Sequence, residues 1–163
     1  MITLADVNAM TFTEFVAAFG EIAEHSPWVA TGSIRPFASP AAMIAAFCGV
    51  VMQADEADQL ALLRAHPDLA TRAKLTTDST NEQKGACLDS LSTAEFTKFT
   101  TLNNQYKEQN GFPFIFAVKG ATKHQILASF EQRIHNARAD EFQVALQQVC
   151  KIIGFRLDAK VSA

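Results

Sequence analysis

The sequence predicts an all-α fold: a single-domain helical bundle of about eight to nine helices with one short extended apolar segment. Three observations lead to it. Apolar residues recur at three- and four-residue steps along most of the chain, the spacing that places them on one helix face. Helix-start signals stand ahead of two of these stripes, Ser92 with Glu95 in S-x-x-E spacing and Pro40 directly after Ser39. Only Phe112–Val118 reads as extended. With 163 residues, where one domain takes roughly 100–200, residues 1–163 are read as one domain.

Short helices are expected at Thr3–Ala9, Thr13–Ile22 and Pro27–Ile34. Ser39-Pro40 opens a longer one through Met43, Ile44 and Phe47 toward Met52, with Pro at the first helical position where its missing N–H costs nothing. Ala57–Ala65 and Thr80–Leu88 follow. The stripe Phe96, Phe99, Leu102 and Tyr106 marks a helix that starts at the Ser92 capping box and closes at Gly111. Thr122–Asn136 and Asp140–Leu157 complete the chain. In the extended segment Pro113 removes one ladder bond, and no second convincing strand is present to pair with it. Its backbone groups must find partners elsewhere, either loops and water or a ligand.

Composition narrows the function. Hydrophobic residues make up 48% and charged residues 19%, too apolar for a disordered chain. Lys plus Arg number 14 against 17 for Asp plus Glu, which argues against a nucleic-acid partner, since such proteins carry a basic face. The 13 phenylalanines bring area without a polar atom and belong mostly in the core. Cys48, Cys87 and Cys150 are widely spaced without a C-x-x-C, as small buried hydrophobes of a reducing compartment would be. The N-terminus carries Asp6 and Glu14 where a signal peptide needs a basic start, and the longest apolar stretch, Ala41 to Met52, is too short to span a bilayer. The expectation is a soluble intracellular protein with no membrane association. There is no H-E-x-x-H or other ligand spacing among the histidines, no P-loop, no G-x-G-x-x-G and no G-x-S-x-G, so neither metal nor nucleotide-cofactor chemistry is expected.

Three features stand out from the apolar pattern. Arg156 continues the last helix's stripe of Phe142, Leu146, Val149 and Ile153. A guanidinium there needs an anion, either a protein carboxylate or a ligand, unless it snorkels at the helix end. His66 continues the face of Leu60 and Leu63, and Pro67 should end that helix at His66. The imidazole then stands near a helix C-terminus, whose partial negative charge favours the protonated form; it is either an acid–base group or a core or capping histidine. Ser79 and Glu82 repeat the S-x-x-E spacing, which stability alone would explain as a helix cap. A carboxylate in that first turn is also a candidate for chemistry.

Several strings taken together carry a resemblance. They are Glu24-His25-Ser26-Pro27-Trp28-Val29-Ala30; His66-Pro67-Asp68-Leu69-Ala70; Ser79-x-x-Glu82-Gln83; Leu102-Asn103-x-x-Tyr106 running into Gly111-Phe112-Pro113-Phe114-Ile115 and Val118-Lys119-Gly120; and Ile152-x-x-Phe155-Arg156-Leu157. Their order and spacing over nearly the whole chain resemble the 2-oxo-4-hydroxy-4-carboxy-5-ureidoimidazoline (OHCU) decarboxylases of urate catabolism. The resemblance implies an all-helical fold and a decarboxylase that needs no cofactor. It makes His66 the central catalytic residue with Glu82 beside it, and gives the substrate anion to Arg156. Ser79 and Gln83 would hold the ureido or ring amide groups. The backbone of Phe114, Ile115, Phe116 and Ala117 would hydrogen-bond the ring, and Pro67 would pack near it and fix His66. Trp28 and His25 are read as structural, and Asp68 as orienting its neighbours.

Such a substrate carries its own electron sink. The carboxylate-bearing carbon adjoins a ring C=N bond that accepts the electrons released with CO₂, and one proton delivered to one face of the ureido-bearing carbon gives S-allantoin. The chain ends Val161-Ser162-Ala163, unlike the peroxisomal tripeptide of many eukaryotic relatives, so a bacterial cytoplasmic enzyme is expected. A homodimer is implied by the family alone. The competing readings are a catalytically silent helical domain that binds an anionic ureido or hydantoin metabolite, a hydrolase of a related ring with His66 as general base, and a structural adaptor.

Overall fold

The computed structural model describes residues 1–71 and 77–163. Among the described residues nine helices follow one another: α1 Leu4–Ala9, α2 Phe12–Phe19, α3 Trp28–Thr31, α4 Pro40–Gln53, α5 Glu56–Ala65, α6 Thr77–Gly85, α7 Thr93–Asn110, α8 Lys123–Arg133 and α9 Arg138–Lys160. The fold is all-α, as the periodicity predicts. One element departs from it: β1 Ile2–Thr3 and β2 Val161–Ser162 pair in parallel, Ile2 opposite Val161 and Thr3 opposite Ser162. Two-residue strands leave no alternation for a sequence to display. No described helix is long and apolar enough to cross a membrane.

The caps form where side-chain oxygens precede the apolar stripes. Ser92 accepts from the Glu95 N–H while the Glu95 carboxylate accepts from the Ser92 N–H, and Thr11 with Glu14 and Thr122 with Gln125 do the same for α2 and α8. Each reciprocal pair satisfies two backbone donors that the helix itself leaves open. At the far end of α7 Gly111 takes φ +78, the left-handed cap that only glycine adopts without strain.

By its contacts the chain forms two compact units, Met1–Ala65 with Val149–Ala163, and His66–Gln148. In the first, Phe15 meets the rings of Phe19, Phe37 and Phe47 at 5.1, 6.2 and 6.2 Å. In the second, Tyr106 stands edge-on to Phe112, Phe114 and Phe130, and Phe114 stacks on Phe130 with centroids 3.8 Å apart. The phenylalanines thus supply both cores, although Phe12 is exposed. The cysteines differ from expectation. None is buried: Cys48 and Cys150 are half-exposed and Cys87 is exposed. Cys87 lies in the turn after α6 at φ +59, outside any apolar stripe. Cys48 Sγ lies 3.7 Å from the Cys150 carbonyl oxygen.

Candidate functional site

α5 ends at Ala65, and His66 is the first residue beyond it, followed by Pro67. This is the stop that Pro67 imposes, because its ring disfavours helical geometry at the preceding residue. His66 is buried and Pro67 half-buried. From Pro67 to Ala70 the backbone forms neither helix nor strand and is held by side chains instead. Gln83 Oε1 accepts from the Ala70 N–H at 2.9 Å, and Gln83 Nε2 donates to the Asp68 carbonyl at 3.3 Å. Asn103 Nδ2 donates to the Leu69 carbonyl at 2.9 Å, and Lys107 Nζ meets Asp68 Oδ2 at 2.6 Å. Ala70 has φ +56, a left-handed geometry that alanine adopts only when its surroundings impose it. The Gln83 bond falls on that residue.

Gln83 lies on α6, so its two bonds set that helix against the Asp68–Ala70 backbone. Ser79 is one turn earlier, and both Ser79 and Gln83 are buried. Glu82 is half-buried and three residues from Ser79, a spacing that makes neighbours on a helix surface. The helix carrying Ser79 and Glu82 therefore lies beside the loop that His66 begins. Ser79 does not cap this helix. Ser79 lies inside α6, Thr77–Gly85, so the S-x-x-E spacing is interior to it, and the capping explanation of these two residues fails.

The extended segment resolves its backbone through side chains. The Ile115 carbonyl accepts from Arg133 Nη1 at 2.8 Å, and the Ala117 N–H donates to Gln148 Oε1 at 2.9 Å. Phe114 and Ile115 are buried core residues, while Phe116 and Ala117 are half-buried. Arg133 also lies over the Phe114 ring at 4.2 Å, a favourable cation–π arrangement.

The same arginine anchors a buried polar network that the sequence reading missed. Glu141, fully buried, accepts from Arg133 Nε and Nη2 (Nη2 at 2.8 Å), from the Tyr106 hydroxyl at 2.5 Å and from Asn136 Nδ2 at 2.8 Å. Burial alone would raise its pKa, but the bonds from Arg133, Tyr106 and Asn136 more than offset this and hold it below the ordinary value. Burial, then the bond to Glu141, pushes the Tyr106 phenol well up. The signal was present. Arg133 falls on the Ile126–Phe130 stripe at i+7 and i+3, the kind of departure that singled out Arg156, yet it also passes as an ordinary last-turn base.

Arg156 belongs to the first unit. It is buried on the α9 stripe, and its Nη1 donates to Glu24 Oε2 at 3.0 Å and to the Ile22 carbonyl at 3.1 Å. Glu24 is buried as well. Of the outcomes open in the sequence, a protein carboxylate is present. It fixes the guanidinium, whose planar fork carries five N–H donors in all. His25 is an exposed surface residue with Nδ1 3.2 Å from Glu21, and Trp28 is half-buried.

A profile of the OHCU decarboxylase family matches residues 8–158. The chain is similar to the 2-oxo-4-hydroxy-4-carboxy-5-ureidoimidazoline decarboxylase of Haloferax volcanii, at 44% identity over 99% of this chain and 98% of that protein. A crystal structure of (S)-allantoin synthase matches with a TM-score of 0.81 and 34% identity, covering 98% of this chain and 54% of that one. A crystal structure of OHCU decarboxylase in the presence of (S)-allantoin matches at TM-score 0.73 over 87% of this chain and 95% of that one, and at 22% identity it speaks for the fold alone. With a buried His66 at a proline-stopped helix end, α6 docked on its loop and this near-full-length likeness, the chain belongs to the OHCU decarboxylase family.

Proposed function

We propose that the chain, acting as one domain over residues 1–163, decarboxylates OHCU to S-allantoin and CO₂ in urate degradation. The observation that carries this is the likeness over almost the full length to a decarboxylase of that name. The geometry of the His66 loop supports it. Decarboxylation breaks the bond between the ring carbon and its carboxylate. The electron pair forms a new ring C=C bond and displaces the adjacent C=N pair onto nitrogen, which takes a proton. A proton then adds to one face of the ureido-bearing carbon, and the 4-hydroxyl gives up its own to become the carbonyl of allantoin. The ring supplies the electron sink, so the protein's tasks are to orient, to exclude water and to move protons.

His66 and Glu82 handle the protons in this reading. A histidine can both give and take a proton, and a carboxylate can orient an imidazole or accept a proton from the substrate hydroxyl. Ser79 and Gln83 face the ureido or ring amide groups, Pro67 packs near the ring, and the Phe114–Ala117 backbone hydrogen-bonds it. Gln83 performs this from a side chain already bonded to the loop, and a ligand on the Ala117 N–H displaces the Gln148 carboxamide. Arg156, oriented by Glu24, takes the carboxylate through a bidentate pair; it aligns the departing group, since a tighter ground-state grip would not speed the step. A cytoplasmic homodimer completes the reading, and light scattering on the purified chain tests the dimer.

The test generates OHCU in situ from urate with purified upstream enzymes and follows optically active allantoin by circular dichroism. Wild type is expected to form S-allantoin rapidly, and a folded His66→Ala variant only the slow racemic background. No acceleration by folded wild-type protein would overturn the assignment. Equal rates in both proteins would keep the reaction and remove His66 from it.

A further inference from the structure

We propose that Asn103 is a positioning residue for this reaction, holding from α7 the loop that carries His66; the inference rests on the decarboxylase reading above. Asn103 is 5% exposed. Its Nδ2 donates to the Leu69 carbonyl at 2.9 Å, across 34 positions of sequence. Its Oδ1 is buried and has no hydrogen-bond partner among the described residues. An amide is a poor choice for filling buried space, because a leucine of similar size would bring no polar atom to desolvate. The bond to Leu69 is what the amide provides at this position.

That bond falls three residues after His66, within a run of three consecutive residues that are each tied. Lys107, one turn along α7 from Asn103, meets Asp68, and Gln83 on α6 binds the Asp68 carbonyl and the Ala70 N–H. Ala70 is in the left-handed region, so the loop depends on these ties for its shape. Leu69 is buried, and without Asn103 its carbonyl loses the donor that holds it in place. The loop then relaxes, and His66 moves with it. A displacement of about 1 Å at a reacting group lowers turnover by roughly 100-fold, whereas Arg156 and the Phe114–Ala117 backbone, which bind substrate from other elements, stay in place. The inference therefore predicts a larger loss in kcat than in KM.

The experiment uses Asn103→Ala and Asn103→Leu in the full chain, the second preserving side-chain volume if the first fails to fold. Two readouts are taken: steady-state kinetics on OHCU generated from urate, and the ¹³Cε1–¹H signal of His66, assigned with His66→Gln. In the folded variants kcat is expected to fall by roughly 10- to 100-fold, with a smaller change in KM. The His66 signal shifts or broadens, and those of His25, His124 and His135 hold still. A folded variant with an unmoved His66 signal overturns the inference, as does one with wild-type kcat. Wild type without OHCU turnover overturns the decarboxylase reading instead, and the His66 signal still decides whether Asn103 holds the loop.

Discussion

Replacing Arg133 by methionine tests the buried network under the extended segment. The substitution removes the bonds to Glu141 and the bond to the Ile115 carbonyl, along with the stacking over Phe114. It leaves a carboxylate with no exposed surface whose remaining side-chain partners among the described residues are Tyr106 and Asn136. Breaking one partner out of a buried ion pair costs about 3–5 kcal/mol, a large part of the roughly 5–15 kcal/mol that holds a domain together. With a urea slope of about 1–3 kcal/mol per molar, the unfolding midpoint at pH 7 falls by about 1 M or more. The pH dependence separates this from a packing defect. In the wild type the Glu141 carboxyl lies below its ordinary value, so its contribution is fully present above the unfolded value and is lost as pH falls through the folded one. In Arg133→Met burial acts unopposed by the guanidinium and raises that carboxyl, so lowering the pH toward 4 neutralises it and relieves the variant. The stability gap between the two proteins therefore narrows from pH 7 to pH 4. Adding Glu141→Gln to Arg133→Met recovers part of the loss at pH 7. A gap that is constant with pH, or a double variant that loses the sum of the two single losses, would refute the account.

Three further outcomes are expected. Phe130→Ala removes a fully buried ring that stacks on Phe114 at 3.8 Å, and it should cost about 3–5 kcal/mol in urea unfolding. Ser92→Ala removes the α7 N-cap and should cost about 1 kcal/mol, read as a thermal shift with activity unchanged. Gln83→Leu leaves the Ala70 N–H without its acceptor; with a net bond strength of about 1 kcal/mol, amide exchange at Ala70 should quicken by about fivefold, and an unchanged rate would mean that the bond does not hold the loop.

Local chemistry made most of the helices legible. Ser92 with Glu95 and Gly111 bracket α7, Ser39-Pro40 opens α4, and Pro67 stops the chain at His66; each acts within a few residues, so the sequence displays both cause and effect. Ser79 shows where that reasoning reaches its limit. The same S-x-x-E letters describe a cap or an interior face, and only the place of Ser79 inside α6 separates the two. The half-exposed Cys48 and Cys150 and the two-residue pairing of Ile2 with Val161 were illegible for a related reason, since burial and pairing depend on what arrives from elsewhere in the chain.

The sequence by itself determined the helical class, the apolar stripes and the set of residue types from which the site is drawn, because periodicity and capping are properties of neighbours. It also marked Arg156 as a charge on an apolar face. Tertiary structure decided which anion answers it, Glu24, and how the His66 loop is held, through Gln83, Asn103 and Lys107 acting across 13 to 39 positions. A buried polar group must be satisfied by something, but which group does so depends on chain segments far apart in sequence, and only the folded chain brings them within 3 Å or so of one another.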